Sequence, residues 1–279
     1  MSLASAVMVT IPPTGSDPAY LSHVPSPGEL DPKRVLAMLG ERGCPWPVPR
    51  YVESTGSTNA DALAAARAGA IEGTCVVAGE QTAGRGRHGR TWVSDPGAGL
   101  WCSTVLQAGL EATRVPIASA LAVVDAAREL SGPTLSIKWP NDVLAEGGGK
   151  IAGILVEATP EAVVAGIGVN VDYSAQALPD PRATSWFIET GRHPDRSELL
   201  AALLAHLQRR TTQPFEAVLA DYRDRSSTLG SRVRVQLPGG EEVIGTAEDV
   251  NESGHLLIRT GETLRTIIAG DVLHATIQR

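Results

Sequence analysis

Apolar and polar positions along this chain follow two rhythms, and the rhythms divide it. In DPKRVLAMLG (31–40), Val35, Leu36 and Leu39 fall on one side at helical spacing, with Asp31 suited to the N-cap, Pro32 to the first turn and Gly40 to the stop. ESTGSTNADALAAARAG (53–69) reads as a loop entering a second helix, with Thr58 and Asp61 at capping-box spacing and Gly69 as the end. Ile117, Leu121 and Val124 mark a third helix in VPIASALAVVDAAREL (115–130), and RSELLAALLAHLQRRT and PFEAVLADYRDR predict two more.

Strand-like runs fill the spaces between. TCVVAGEQ (74–81) and GLWCSTVLQ (99–107) flank a glycine- and arginine-rich stretch. LSIKWPNDVLA (135–145), IAGILVEA (151–158) and AVVAGIGVNVD (162–172) read as three successive strands of an antiparallel meander, the first two joined by a glycine-rich tip, EGGGK. From about Ser227 only short β-like runs remain (RVRVQL, EEVIGTAEDV, GHLLIRT, LRTIIAGDV), with turns at Pro238-Gly239-Gly240 and Ser253-Gly254. The expected class is α+β: a mixed, mostly antiparallel sheet packed by helices, followed by a small β-barrel. Residues 1–28, rich in Pro, Ser and Gly, read as a disordered tail, 29–226 as the main domain and 227–279 as the barrel.

Charge changes this picture at one place. The chain of 279 residues carries a net charge of -7, which disfavours unspecific nucleic-acid binding, because neutralising phosphates needs a broad basic surface. Yet GEQTAGRGRHGRTW (79–92) gathers Arg85, Arg87, His88 and Arg90 among glycines. Cys44, Cys75 and Cys102 lack metal-ligand spacing and fit a reducing cytoplasm. No run of 18 apolar residues predicts a membrane span, and the first basic residue, Lys33, leaves no charged leader.

The basic stretch is neither a Walker A loop, lacking GK[ST], nor a dinucleotide fingerprint, since a strand rather than a helix follows it. It reads either as a solvated turn or as an anion-binding loop in which glycines admit backbone N–H groups and arginines supply forked donors. Fixing Gly84 to Arg90 costs on the order of 7–14 kcal/mol of backbone entropy. Three or four charge-assisted bonds at about 1.5–3 kcal/mol each roughly offset that, so the loop is expected to be mobile when empty and ordered by an anion.

Further polar residues interrupt apolar runs. Lys138, Asn141 and Asp142 in KWPND suit either a phosphate–metal site or a polar turn. Lys150 follows three glycines. Asn170, on the apolar GIGVN strand, must find partners, in the protein or in a ligand.

In order, STN (57–59), QTAGRGRHGRTW (81–92), KWPND (138–142), KIAGILVE (150–157) and GIGVN (166–170) resemble the biotin protein ligases. The resemblance runs from about residue 50 to the end. It implies a catalytic fold of the class II aminoacyl-tRNA synthetase type with an SH3-like C-terminal barrel. It also implies two reactions. Biotin's carboxylate attacks the α-phosphate of ATP, with Mg2+, giving biotinyl-5′-AMP; a lysine of a biotin carboxyl carrier domain of acyl-CoA carboxylases then displaces AMP. By motif match, Ser57, Thr58, Asn59 and Gln81 serve biotin, joined by Arg85, Gly86, Arg87 and Lys150. Arg87, Arg90, Trp92, Lys138, Asn141 and Asn170 serve ATP and the adenylate. Lys138, Arg85, Arg87 and Lys150 are the implied catalytic residues. No metal ligand is assigned.

Two features depart from the family pattern: His88 stands where another arginine is common, and the tip before Lys150 differs in length. The short region before Tyr51 implies a ligase without a DNA-binding repressor module, with neither DNA nor membrane as partner, acting as a monomer or weak homodimer. The rivals are a lipoate or octanoate ligase, a nucleic-acid-binding protein disfavoured by charge and by 4% aromatics, and a binding module without catalysis.

Overall fold

The computed structural model describes residues 30–107 and 109–274; the tail expected over 1–28 lies outside the described residues. A seven-stranded sheet forms the centre. Its strands are β1 (Arg50–Thr55), β2 (Cys75–Gln81), β3 (Gly99–Leu106), β4 (Leu135–Lys138), β5 (Asp142–Ala145), β6 (Lys150–Ala158) and β7 (Val163–Asn170), in the order β1-β2-β3-β7-β6-β5-β4. Only β1 and β2 run parallel; the other neighbours are antiparallel.

Period-two alternation sorts the two faces. Val77, Leu100, Cys102, Ala165, Ile167 and Val169 point to one side. There α3 (Val115–Glu129) packs on the sheet, α5 (Arg196–Thr212) packs on α3, and α1 (Pro32–Glu41) packs on α5. Leu121, Leu200 and Leu204 are wholly buried in this layer, each contributing about 1.5–3 kcal/mol of apolar burial. On the opposite face α2 (Thr58–Arg67), rich in alanine, is the one helix among the described residues that packs, through Ala62 and Ala66 against Val76, Val105 and Val164. The remainder of that face carries Gly99, Trp101, Ser103, Gly153, Gly166, Gly168 and Asn170. Small residues there leave a floor on which other side chains can lie.

Several expectations need correction. Gly40 does not end α1; the helix runs to Glu41, and Gly43 takes the left-handed turn at φ +68°. The capping box of α2 is not formed: Ser57 is the N-cap, and Asp61 instead accepts a hydrogen bond from Thr55 Oγ1 (2.8 Å). LSIKWPNDVLA is a hairpin rather than one strand, because Pro140 has no N–H for a ladder. The meander thus has four strands.

The C-terminal region holds five strands rather than four runs: β8 (Arg232–Gln236), β9 (Glu242–Val250), β10 (Leu256–Thr260), β11 (Thr263–Ile267) and β12 (Asp271–His274). LRTIIAGDV breaks in two at Ala269-Gly270. The order β11-β10-β9-β8-β12 leaves β11 and β12 as separate edges, so among the described residues the sheet is SH3-like but not closed. It clasps the β4–β5 hairpin. Trp139 donates its backbone N–H to Thr228 Oγ1 (2.9 Å) and its indole Nε1–H to the Gly254 carbonyl (3.1 Å). A short α4 (Trp186–Thr190) precedes α5, and α6 (Phe215–Arg225) joins the two regions.

Candidate active site

The STN turn places Thr58 and Asn59 in the first turn of α2, both buried against β3. Thr58 donates its backbone N–H and its hydroxyl to Gln81 Oε1, at 2.9 and 3.0 Å. Ser103 Oγ lies 2.8 Å from Thr58 Oγ1 and 2.6 Å from Asn59 Oδ1. Asn59 Nδ2 donates to Glu157 Oε2 (2.8 Å) and to the Leu155 carbonyl (3.3 Å). Asn59 fits only because position 166 is glycine: a Cβ there would stand 2.0 Å from Asn59 Oδ1.

The basic stretch folds as a finger. Arg85 pairs with Thr91, Gly86 N–H donates to the Arg90 carbonyl (2.7 Å) and Trp92 N–H to the Gly84 carbonyl (2.9 Å). Gly84 admits the close backbone approach; a Cβ would meet the Trp92 carbonyl at 2.3 Å. The tip is a single 3-10 turn, Arg87–Gly89, in which His88 itself takes φ +55°. Histidine tolerates this conformation better than a bulky or branched residue.

The sequence displays cations here but not their counter-charges, which come from distant strands. Arg85 Nη2 donates to Glu157 Oε2 (2.7 Å) on β6. Arg87 Nη1 donates to Asn141 Oδ1 (3.1 Å) and to the Gly270 carbonyl (3.4 Å), and stands 4.0 Å from Asp271. Arg90 pairs with Asp271 directly. Burial pulls the Arg87 pKa down, opposed by Asp142, and the group still keeps its charge at neutral pH. Burial, with Arg87 and Arg90 alongside, also holds His88 below the ordinary imidazole value.

Trp92 returns the finger to the sheet. A Cβ on Gly168 would lie 2.6 Å from its Nε1, and one on Gly153 2.8 Å from its Cζ3; the two glycines face each other across β6 and β7. The indole meets Trp101 edge-on, centroids 6.3 Å apart at 74°. Lys150 Nζ stands 5.1 Å from the Trp92 ring and 2.6 Å from Asp142 Oδ1. Lys138 is the cross-strand partner of Asp142. Burial lowers its pKa, with Lys150 and Arg182 acting the same way and Asp142 against them. Two ammonium groups and one carboxylate therefore share a small region beside an aromatic face.

The remaining asparagines are braces. Asn141 Nδ2 donates to the Ile154 carbonyl (3.0 Å) while its Oδ1 receives Arg87. Asn170 Nδ2 donates to the carbonyls of Thr184 (3.0 Å) and Lys150 (3.4 Å), seating the 182–184 segment beside Lys150. The structural alternative for Asn170 is thus realised in its amide hydrogens.

The predicted residues fall into three adjoining groups: Ser57, Thr58, Asn59 and Gln81; Arg85, Gly86 and Arg87; and Trp92, Lys138, Asn141, Lys150 and Asn170. Arg90 pairs with Asp271 of the C-terminal sheet, the carboxylate that also lies 4.0 Å from Arg87. A cleft of about 210 Å3 opens beside Arg87, Asn141 and Trp139. A larger cavity of about 650 Å3, lined by Tyr51, Asp172 and Arg196, contains none of the predicted residues, so size does not mark the site. Sequence reasoning missed Ser94, Trp101, Ser103, Glu157 and Asp271. A polar Ser103 within an apolar strand was a readable signal, and Glu157 closes KIAGILVE; Asp271 gave none.

Residues 51–174 match the family "Biotin/lipoate A/B protein ligase family", and 228–274 match "Biotin protein ligase C terminal domain". The chain is 42% identical over 260 residues to the biotin–[acetyl-CoA-carboxylase] ligase of Mycobacterium tuberculosis, covering 88% of this chain and 96% of that one. It is 33% identical to the bifunctional ligase/repressor BirA of Bacillus subtilis, over 80% of this chain and 72% of that protein. The Aquifex aeolicus biotin protein ligase, solved in complex with biotin and ATP, superposes with a TM-score of 0.71 at 27% identity, covering 81% of this chain and 99% of that one. The matched segments include the finger, both lysines and the C-terminal sheet, and the chain belongs to the biotin protein ligase family.

Proposed function

We propose that this enzyme activates biotin with ATP and transfers it to a lysine of a biotin carboxyl carrier domain. In the first step a biotin carboxylate oxygen bonds to the α-phosphorus and pyrophosphate leaves. In the second the lysine amine bonds to the acyl carbon, AMP leaves and the amine loses a proton. The observation that carries the reading is the meeting of Lys138, Lys150 and Asp142 beside Trp92, next to a finger bearing Arg85 and Arg87. Joining a carboxylate to a polyphosphate brings anions together, and preorganised cations lower that barrier.

In this reading Ser57, Thr58, Asn59 and Gln81 seat the ureido ring, with Asn59 itself seated on Gly166. Arg85, Gly86 and Arg87 close over the carboxylate and the linking phosphate. Trp92 packs on adenine, with Arg90, Asn141 and Asn170 shaping the nucleotide site. Lys138 and Lys150 face the reacting centre. Among the described residues no group of three or more His, Cys, Asp or Glu converges as a metal cage. The donor set suits Mg2+ arriving with ATP, held chiefly by the phosphates and neutralising their charge when bound.

Labour is divided between a catalytic unit, 29–226, and a C-terminal unit from 227. The acting form is a monomer or weak homodimer, with neither DNA nor membrane as partner. ATP as co-substrate and three unpaired cysteines suit the cytoplasm. Among the described residues no helix is long and apolar enough to cross a membrane. The test is incubation with ATP, biotin and a purified carrier domain. One biotinyl group on a single lysine is expected; no transfer, or equal transfer of lipoate, overturns the proposal.

A further inference from the structure

Both ends of the finger are tied into one polar chain. At its start, Arg85 Nη2 reaches Glu157 Oε2 at 2.7 Å. The same oxygen accepts from Asn59 Nδ2 at 2.8 Å. From Asn59 the chain runs through Ser103 and Thr58 to Gln81, and Gln81 Nε2 donates to Ser94 Oγ (2.7 Å) at the finger's other end. Glu157 is the one carboxylate in this circuit, and it receives both the finger and the STN turn.

We infer that Glu157 is a positioning residue that sets the resting place of Arg85 and holds the finger over the bound adenylate. This deepens the proposed function and rests on it. Glu157 lies on the half-open face of β6, with its side chain 28% exposed and that of Arg85 43% exposed. One guanidinium nitrogen engages Glu157, and the guanidinium has further donors for an anion. Ordering Arg85 in advance removes part of the entropy cost of closing a glycine-rich loop. The shared oxygen also makes the finger sensitive to Asn59, so a shift of Asn59 toward a ligand weakens or strengthens the hold on Arg85.

The test is release of preformed biotinyl-5′-AMP, measured by chase without carrier, in the wild type, Glu157→Gln, Arg85→Ala and the double variant. Glu157→Gln keeps the shape and an acceptor oxygen for Asn59 but removes the charge. It is expected to release the adenylate roughly fivefold faster and to raise the biotin KM similarly, leaving the transfer kcat within about twofold; a half-exposed charge-assisted bond has about that weight. In the Arg85→Ala background the substitution is expected to add nothing, because its effect passes through Arg85. Unchanged release in Glu157→Gln, or an effect that adds in full to Arg85→Ala, overturns the inference while wild-type adenylate formation stands. A wild type that forms no adenylate overturns the proposed function instead. Should Glu157→Gln fold poorly, Ser103→Ala, which cuts the circuit beyond Asn59, is expected to speed release in the same direction; unchanged release there overturns the inference as well.

Discussion

Trp92 and Gly168 touch so closely that no side chain fits between them: a Cβ on Gly168 would stand 2.6 Å from the indole Nε1. The contact seats the aromatic ring that the finger delivers beside Lys150. Gly168→Ala is therefore expected to lift the ring and raise the KM for ATP about tenfold, with a stability loss of roughly 1–3 kcal/mol for overpacking. Initial rates against ATP at saturating biotin check this. An unchanged ATP KM contradicts the placement of adenine on Trp92.

Gly166 gives the matching prediction for biotin. Its Cβ would stand 2.0 Å from Asn59 Oδ1, so Gly166→Ala must displace Asn59 or the strand. Biotin affinity, read by calorimetry without nucleotide, is expected to fall more than about tenfold, comparable to losing one well-placed hydrogen bond to a buried group. The two alanine variants should separate: one acts on ATP, the other on biotin.

These glycines mark where the sequence was legible and where it was not. GIGVN and STN were visible as motifs, and most helices and strands were legible from periodicity and capping signals, but β1, whose residues 53–55 read as loop, and the short helix Trp186–Thr190 were not. That Gly166 exists to receive Asn59 depends on the register of β7 against β3 and on where α2 lands, which no local pattern encodes. Arg85 and Arg90 were plain in the sequence, but Glu157 and Asp271, their partners, lie 72 and 181 residues away. The capping box failed for a similar reason: Thr58 had a tertiary partner in Gln81 that outcompeted the local one. Pro140 was seen as an interruption; that it turns a hairpin required the clasp of Thr228 and Gly254 on Trp139.

Lys138 predicts a pH dependence. Burial disfavours its charged form and lowers its pKa, so it loses its proton at lower pH than a free lysine. An adenylation step that needs this ammonium is complete at neutral pH and declines as pH rises through the lowered pKa. Lys138→Arg, which stays charged, is expected to remove that alkaline decline, whereas Lys138→Ala lowers the rate about 100-fold at neutral pH, a deficit that narrows as the wild-type amine loses its proton. Pyrophosphate release measured from pH 6 to 10 distinguishes them. An alkaline decline that persists in Lys138→Arg assigns it to another group.

Asp271 docks the finger on the C-terminal sheet through Arg90, with Arg87 nearby. Asp271→Ala is expected to speed tryptic cleavage within Arg85–Arg90 several-fold in the free enzyme, because opening of an exposed loop sets its proteolysis. Biotin with ATP should restore protection, since the anionic ligand takes over part of the hold on the arginines. Equal cleavage of the variant and the wild type would show that the sheet does not anchor the finger.

In the proposed function this constellation activates biotin as an adenylate. Exchange of labelled pyrophosphate into ATP, catalysed by the purified enzyme, tests it most directly. Exchange is expected to require biotin, to find no support from lipoate, and to drop about 100-fold in Lys138→Ala. Exchange supported equally by lipoate, or undiminished in Lys138→Ala, would contradict it.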